Sequence, residues 1–301
     1  MRHDLVSLKI FVAVAECRNL TRAAEREHLA VSAVSKRIAE LEDLLRVPLL
    51  QRHARGVGLT PAGQSLLRHA RQVLNLVERM DAELGEFADG VKGHVRLHAV
   101  ASALNQFLPE EIENFLSGYP GVRISLEERT GKAVVAAVTD GSADLGVVAD
   151  QTPRHGLTAL PYHSDRLMIA TPIGHPLARR KSVRFAAALD YAFVGPHADS
   201  SIAQLIAAGA QACGKAVEQR VQASSFDTMC RLVQTRLGIT MLPEGVLAPH
   251  VEAGRIAMLG LNEDWAIRRM CVVVRDPEQL SPITQTLIEH LQRAAAGRSG
   301  S

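Results

Sequence analysis

Between residues 66 and 87 the apolar positions Leu66, Ala70, Val73, Val77, Met80, Leu84 and Phe87 stand alternately four and three residues apart. That spacing puts them on one stripe of an α-helix for three consecutive heptads, a pattern typical of helices that pair along their length. Arg68, Arg71, Glu78, Arg79 and Glu83 flank the stripe. The helix opens at "TPAG", where Thr60 can cap and Pro61 takes the favoured first helical position. The stripe, with Leu74 beside it, predicts a dimerisation seam on a linker helix over residues 61–90. "ADGVKG", Ala88 to Gly93, reads as a hinge.

Ahead of the linker, Leu5, Leu8, Phe11, Val12 and Ala15 line one side of a first helix. "NLTRAAERE" follows, with Thr21 as its N-cap and Ala23 and Ala24 small enough for close packing. After the short turn "HLAV" comes "AVSAVSKRIAELE", whose Val34, Ile38 and Leu41 make a narrow apolar stripe. Two short helices joined by such a turn read as a helix-turn-helix. "PLLQRHARGVGLT" has short apolar ends, basic residues and two glycines, which predicts a hairpin wing. The first domain, residues 1–60, is therefore expected to be an all-α winged helix-turn-helix.

The outer side of the third helix is unusual: Ser32, Ala33, Ser35 and Lys36 are small, hydroxylated or cationic. Short side chains let a helix approach another surface closely, and the major groove of DNA admits a helix. Ser32 and Ser35 can donate to phosphates or base edges, and Lys36 can reach a guanine or a phosphate. Arg37 sits to the side, suited to the backbone, and Arg52 and Arg55 on the wing could reach flanking phosphates. From Ser32 to Arg55 five cations (Lys36, Arg37, Arg46, Arg52, Arg55) face three acids (Glu40, Glu42, Asp43). The whole chain carries a net charge of only +2, so nucleic-acid contact has to come from such a patch. Thr21 completes the expected DNA-facing set.

Beyond the hinge, strand-like runs ("HVRLHAV", "GVRISLEER", "ADLGVV", "RLMIATP", "YAFVG", "GITMLP", "RIAMLGL", "RRMCVVV") alternate with helical segments. Alternation of this kind predicts parallel sheets with crossover helices, and about 200 residues suit two subdomains with a cleft between them. The expected boundaries are 91–296 for this domain, with subdomain I at 91–161 and 266–296 and subdomain II at 162–265. The chain should cross between lobes near "LPYHSDR", Leu160 to Arg166, and return near Trp265. Ligands bind where strand C-termini meet helix N-termini, whose unpaired N–H groups attract anions. Ser102, Ser200 with Ser201, and Ser224 to Asp227 stand at such junctions as capping hydroxyls, so an anionic effector is expected.

Other functions find little support. Nucleophile elbow, P-loop, Rossmann fingerprint and HExxH are all missing from the 301 residues, so an enzyme is not expected. His155, His163 and His175 have no ligand-like spacing and read as exposed or capping, so neither metal nor cofactor is expected. Cys17, Cys213, Cys230 and Cys271 are scattered, which suits a reducing cytoplasm, and Cys213 and Cys230 read as buried, inert thiols on helices rather than as a redox sensor. The N-terminus has no signal peptide pattern and no apolar run reaches membrane-spanning length, which argues against an exported solute-binding protein and against a membrane partner.

The string "FVAVAECRNLTRAAEREHLAVSAVSKRIAELEDLLRVPLLQRHARGVGLTPAG" resembles the N-terminal domain of the LysR-type transcriptional regulators, densely from Leu8 to Gly63. "ADLGVV", "GHPLA" and "LGITMLP" resemble that family's effector domain, so the likeness spans nearly the whole chain. It implies a C-terminal α/β domain of two Rossmann-like subdomains with the periplasmic-binding-protein fold. It also implies a homodimer or tetramer that binds promoter DNA, answers a small molecule and has RNA polymerase as a further candidate partner. By similarity, Ser102, Thr130, Val147, Ser201 and Phe226 border the effector pocket. This sequence departs from the family at five places. Ala30 stands where a serine is usual, leaving the recognition helix to be capped by Ser32 or by nothing, at a cost of about 1 kcal/mol. Val31 replaces a common glutamine and can offer only apolar contact, for instance to a thymine methyl. Glu27 replaces a leucine, Leu50 a phenylalanine, and Arg236 a glycine.

Overall fold

Local chemistry starts each of the first helices. In the computed structural model, which describes residues 4–53, 56–89 and 93–298, α1 (Leu5–Cys17) begins at Asp4, whose carboxylate accepts from Ser7 N at 2.8 Å. α2 (Leu20–Arg26) is capped by Asn19, whose Oδ1 accepts from Arg22 N at 3.1 Å. Thr21 is therefore not the cap: the backbone is already extended at Asn19, so the helix starts before Thr21 can serve. α3 (Val31–Leu45) buries Val34, Ile38 and Leu41, and Ala30 stands before it with no side-chain hydrogen bond. The recognition helix is thus capped by nothing.

β1 (Leu50–His53) and β2 (Gly56–Leu59) pair antiparallel with Leu50 opposite Leu59. Thr60 Oγ1 accepts from Gly63 N at 2.9 Å and donates to Pro48 O at 2.7 Å, which ties the start of α4 (Pro61–Asp89) to the hairpin. α4 runs 29 residues, roughly 44 Å at 1.5 Å per residue. The core beneath these elements holds Ile10, Phe11, Val14, Ala23, Val34 and Ile38, with Leu66 and Leu67 packed against it. Of the expected hinge, Gly90 to Lys92 lie outside the described residues.

The chain divides into two units, one ending at Gly93 and taking in Asp140–Ser142, the other formed by the rest. In the second unit β3 (His94–Ala99), α5 (Ala101–Leu104), α6 (Leu108–Gly118), β4 (Arg123–Glu128), α7 (Gly131–Asp140) and β5 (Leu145–Ala149) build one lobe. Then β6 (Thr158–Pro172) leads into β7 (Ser182–Val183), α8 (Phe185–Ala188), β8 (Phe193–Gly195), α9 (Ser201–Ala212), β9 (Gln219–Gln222), α10 (Phe226–Gln234), β10 (Thr240–Pro243), α11 (Glu244–Glu252) and β11 (Ile256–Leu261). β12 (Ile267–Val274) returns to the first lobe, and α12 (Pro282–Arg298) closes the unit.

The main sheet has the order β4-β3-β5-β12-β6-β11-β7, with β10 also on β6. Only part of it is parallel as expected. β3 pairs parallel with β4 and β5, whereas β12 runs antiparallel to β5 and β6, and β10 and β11 run antiparallel to β6. The cause is β6, a single 15-residue strand shared by both lobes: its first part pairs with β12 and its second with β10 and β11. Two separate cores flank this crossing. Tyr162 and Met270 belong to one, Leu167 and Ala266 to the other. The return is made by β12, with Arg268 opposite Asp165. Trp265, two residues before β12, is packed into the second core, edge-on to Phe185 at 5.2 Å.

Candidate nucleic-acid interface and ligand pocket

The stripe that holds α3 to its core leaves the opposite side free. Val31, Ser32 and Lys36 are exposed, and Ala33 and Ser35 are half-buried. Nothing bulky stands on the first two turns. Lys36 Nζ is 3.9 Å from Glu40 Oε1, an exposed pair that leaves the ammonium available. Arg37 lies to the side of this face: its guanidinium donates to Ser7 Oγ at 3.2 Å and pairs with Asp4 at 3.5 Å, fastening α3 to the start of α1. Thr21 is exposed on α2. Arg52 lies in β1 opposite Val57, and Arg55 is outside the described residues. Glu27, in a leucine's usual place, holds Lys9 at 3.2 Å and Arg26 at 3.8 Å.

Sequence reasoning missed Glu42. Its Oε1 accepts from both Leu49 N at 2.6 Å and Leu50 N at 3.0 Å, so the recognition helix and the hairpin are locked by one carboxylate. A glutamate eight residues before a hairpin carries no pattern that would reveal this.

α4 divides its apolar positions between two tasks. Ala70 is buried and Leu66 packs into the N-terminal core, so the first two members of the expected seam are spent within their own unit. Val73, Leu76, Met80 and Leu84 are 41, 59, 49 and 60 % exposed. Leu74 and Val77 are half-buried. Leu76, absent from the expected seam, lies on the open face.

In the second unit a cavity of about 610 Å³ opens between the lobes. Ser102 and Thr130 come from one lobe, and Ser200, Ser201 and Phe226 from the other. Val147 does not line it: this residue is fully buried in β5 within the first core. Ser200 caps α9, accepting from Ala203 N at 3.0 Å, and Ser225 caps α10, accepting from Thr228 N at 3.4 Å. The first N–H groups of a helix have no partner within it, so the α9 terminus offers donors to the cavity. Ser102 is no cap. It is the second residue of α5, and its Oγ accepts from Arg268 Nη2 at 3.0 Å. Arg129, Glu128, His197 and Asp199 supply charge of both signs at the rim.

Below Ser102 lies a buried ion pair that the sequence did not suggest. Arg268 Nε donates to Asp165 Oδ1 at 2.8 Å, and Nη2 also reaches Asp165. Gln106 Nε2 donates to Asp165 Oδ2 and to Ser102 O, both at 3.0 Å. His163 corrects another expectation: it is buried, 2.6 Å from Glu111 Oε1 and stacked on Phe107. His175 does cap, accepting from Leu177 N. Cys230 is buried and burial pushes its thiol up to about 11, in keeping with an inert group. Cys213 is exposed, contrary to expectation, because it sits past the end of α9 rather than on its packed face. Among the described residues no His/Cys/Asp/Glu group could hold a metal, and no helix is long and apolar enough to cross a membrane.

A winged helix-turn-helix joined by a long helix to a two-lobed α/β unit defines a ligand-responsive DNA-binding protein. Residues 5–64 match the model of bacterial regulatory helix-turn-helix proteins of the lysR family, and residues 88–296 match the LysR substrate binding domain. The chain belongs to the LysR family of transcriptional regulators and is not an enzyme. The SDS degradation transcriptional activation protein of a Pseudomonas species is 30 % identical over 95 % of this chain and 94 % of its own length. Full-length CbnR complexed with its target DNA superposes with a TM-score of 0.69 at 22 % identity, covering 97 % of this chain and 100 % of that one. The regulatory domain of Synechocystis CcmR in complex with 2-PG gives 0.62 at 23 % identity, over 68 % of this chain and 98 % of that one.

Proposed function

We propose that α3 enters the major groove with Val31, Ser32, Ala33, Ser35 and Lys36 toward the bases, while Thr21 and the wing residues Arg52 and Arg55 contact the backbone. One observation carries this: the first two turns of α3 present only short or cationic side chains outward, while the opposite face is fully committed to the core. CbnR, similar in fold, was solved in complex with its target DNA, in keeping with a DNA-binding role for this chain. Two copies pair through the open face of α4, Val73, Leu76, Met80 and Leu84 with Val77, which fixes two recognition helices at one spacing. Higher assembly to a tetramer and contact with RNA polymerase extend this reading.

The pocket between the lobes takes a small anionic effector. The convergence of Ser102, Thr130, Ser200 and Ser201 with the α9 terminus supports an oxyanion, and the similarly folded CcmR regulatory domain was solved in complex with a ligand, 2-PG. An effector acts only through different affinities for the two arrangements of the regulator.

Fluorescence anisotropy with the intergenic DNA beside the protein's own coding region tests the first reading. Nanomolar binding with a steep salt slope is expected. Lys36→Ala and Arg52→Ala each weaken it, the slope falling by about one for a lost phosphate contact, with thermal stability unchanged. Equal affinity for random DNA, or wild-type binding by both variants, would overturn the docking.

A further inference from the structure

The second lobe holds another cavity, of about 350 Å³, which shares no lining residue with the pocket between the lobes. Ile173, Leu237 and Ile239 give it apolar walls, and no carboxylate lines it. Besides Tyr191, its polar side chains are two arginines and a histidine, and both arginines are brought there by a departure from regular backbone.

Arg220 sits in β9 where the pairing passes from Phe193 opposite Gln219 to Val194 opposite Val221. It is therefore the extra residue of a bulge, a device that re-aims a side chain. Arg236 is the first residue beyond the cap of α10 and has φ +64. The helix end closes around it, with Arg236 N donating to Val233 O at 2.9 Å and Leu237 N to Leu232 O at 3.3 Å. Glycine is the ordinary occupant of such a position, because a side chain there is strained. Neither guanidinium has an ion-pair partner among the described residues. His175 Nδ1 accepts from Leu177 N at 3.2 Å, and burial holds its pKa below the usual value. The neutral ring then carries its proton on Nε2, as a donor. Its edge meets the ring of Tyr191 at 4.5 Å. Gly238 completes the wall: a Cβ there would stand 2.4 Å from Ala192 O, so only glycine lets the two segments close on the cavity.

Two unpaired cations, a neutral donor, an aromatic ring and apolar walls match one ligand chemistry. We propose that this cavity is a second ligand site, taking a small organic oxyanion with an apolar or aromatic body. Carboxylate and phosphate heads share that chemistry. The site is independent of the effector reading, so either can fail without the other.

The test uses the full-length protein with labelled Ile, Leu and Val methyl groups, titrated separately with benzoate, phenyl phosphate and benzyl alcohol. Shifts at Ile173, Leu237 and Ile239 are expected with an anion and not with the alcohol, and the tighter of the two anions identifies the head group. In Arg220→Ala/Arg236→Gly the affinity should fall at least tenfold. Glycine suits the backbone at position 236, and an unchanged Ile202 methyl reports an intact fold. Absence of shifts with millimolar anion, an equal response to benzyl alcohol, shifts that survive the double substitution, or shifts confined to Ile202 would each overturn the proposal.

Discussion

Glu42 shows how much of a DNA-binding unit can rest on one side chain. Its carboxylate receives two backbone N–H groups at the point where the chain leaves α3 for the hairpin. Both donors lose their partner in Glu42→Ala, and an unsatisfied buried donor costs about 1–3 kcal/mol. Urea denaturation should show a loss of that size, and a smaller one for Glu42→Gln, which keeps an acceptor. Equal stability of the alanine variant and wild type would mean that water replaces the carboxylate freely. Arg37, equally close to the recognition face, also fastens α3 to the start of α1, because Asp4 and Ser7 stand within its reach. Both assignments depend on residues brought from other elements, so neither could be read from α3 alone.

Among the elements, α4 separates what periodicity tells from what it does not. The heptad stripe was legible, and so were the helix-turn-helix and the cap at Thr60. The direction each turn of α4 faces was not, because it depends on how α1 lies across its first turns: Ala70 goes inward and Leu76 outward. Strand direction was equally hidden. β6 and β12 read as ordinary strands, and only the shared crossing makes them antiparallel to their neighbours. The open stripe yields a prediction that separates its two halves. Leu76→Asp with Met80→Asp puts charges into the proposed seam between copies, and sedimentation should report monomers that remain folded. A charge at Ala70, buried at 1 % exposure, should instead destabilise the N-terminal unit whatever the oligomeric state, since an unpaired buried charge is expensive. Unchanged sedimentation of the Leu76/Met80 variant would remove α4 from the dimer contact.

Across the whole molecule, the least legible feature joins parts far apart in the chain. Asp165 and Arg268 lie 103 residues apart and meet where the chain passes between the two cores, with Ser102 of the pocket between the lobes on the same guanidinium. No local pattern marks either residue, whereas the pocket serines announced themselves as junction hydroxyls. Removing one partner of such a pair leaves a buried charge, at a cost of about 3–5 kcal/mol, while replacing both with apolar residues of similar size is often neutral. Arg268→Met should therefore shift the urea transition of the second unit, followed by Trp265 fluorescence, by about that amount, and Asp165→Leu/Arg268→Met should recover most of it. The double variant nonetheless loses the donor that orients Ser102, so its effector affinity should stay reduced after stability returns. Recovery of both together would show that the pair serves stability alone; recovery of stability without affinity would show that the crossing strands hold the pocket in the form the effector selects.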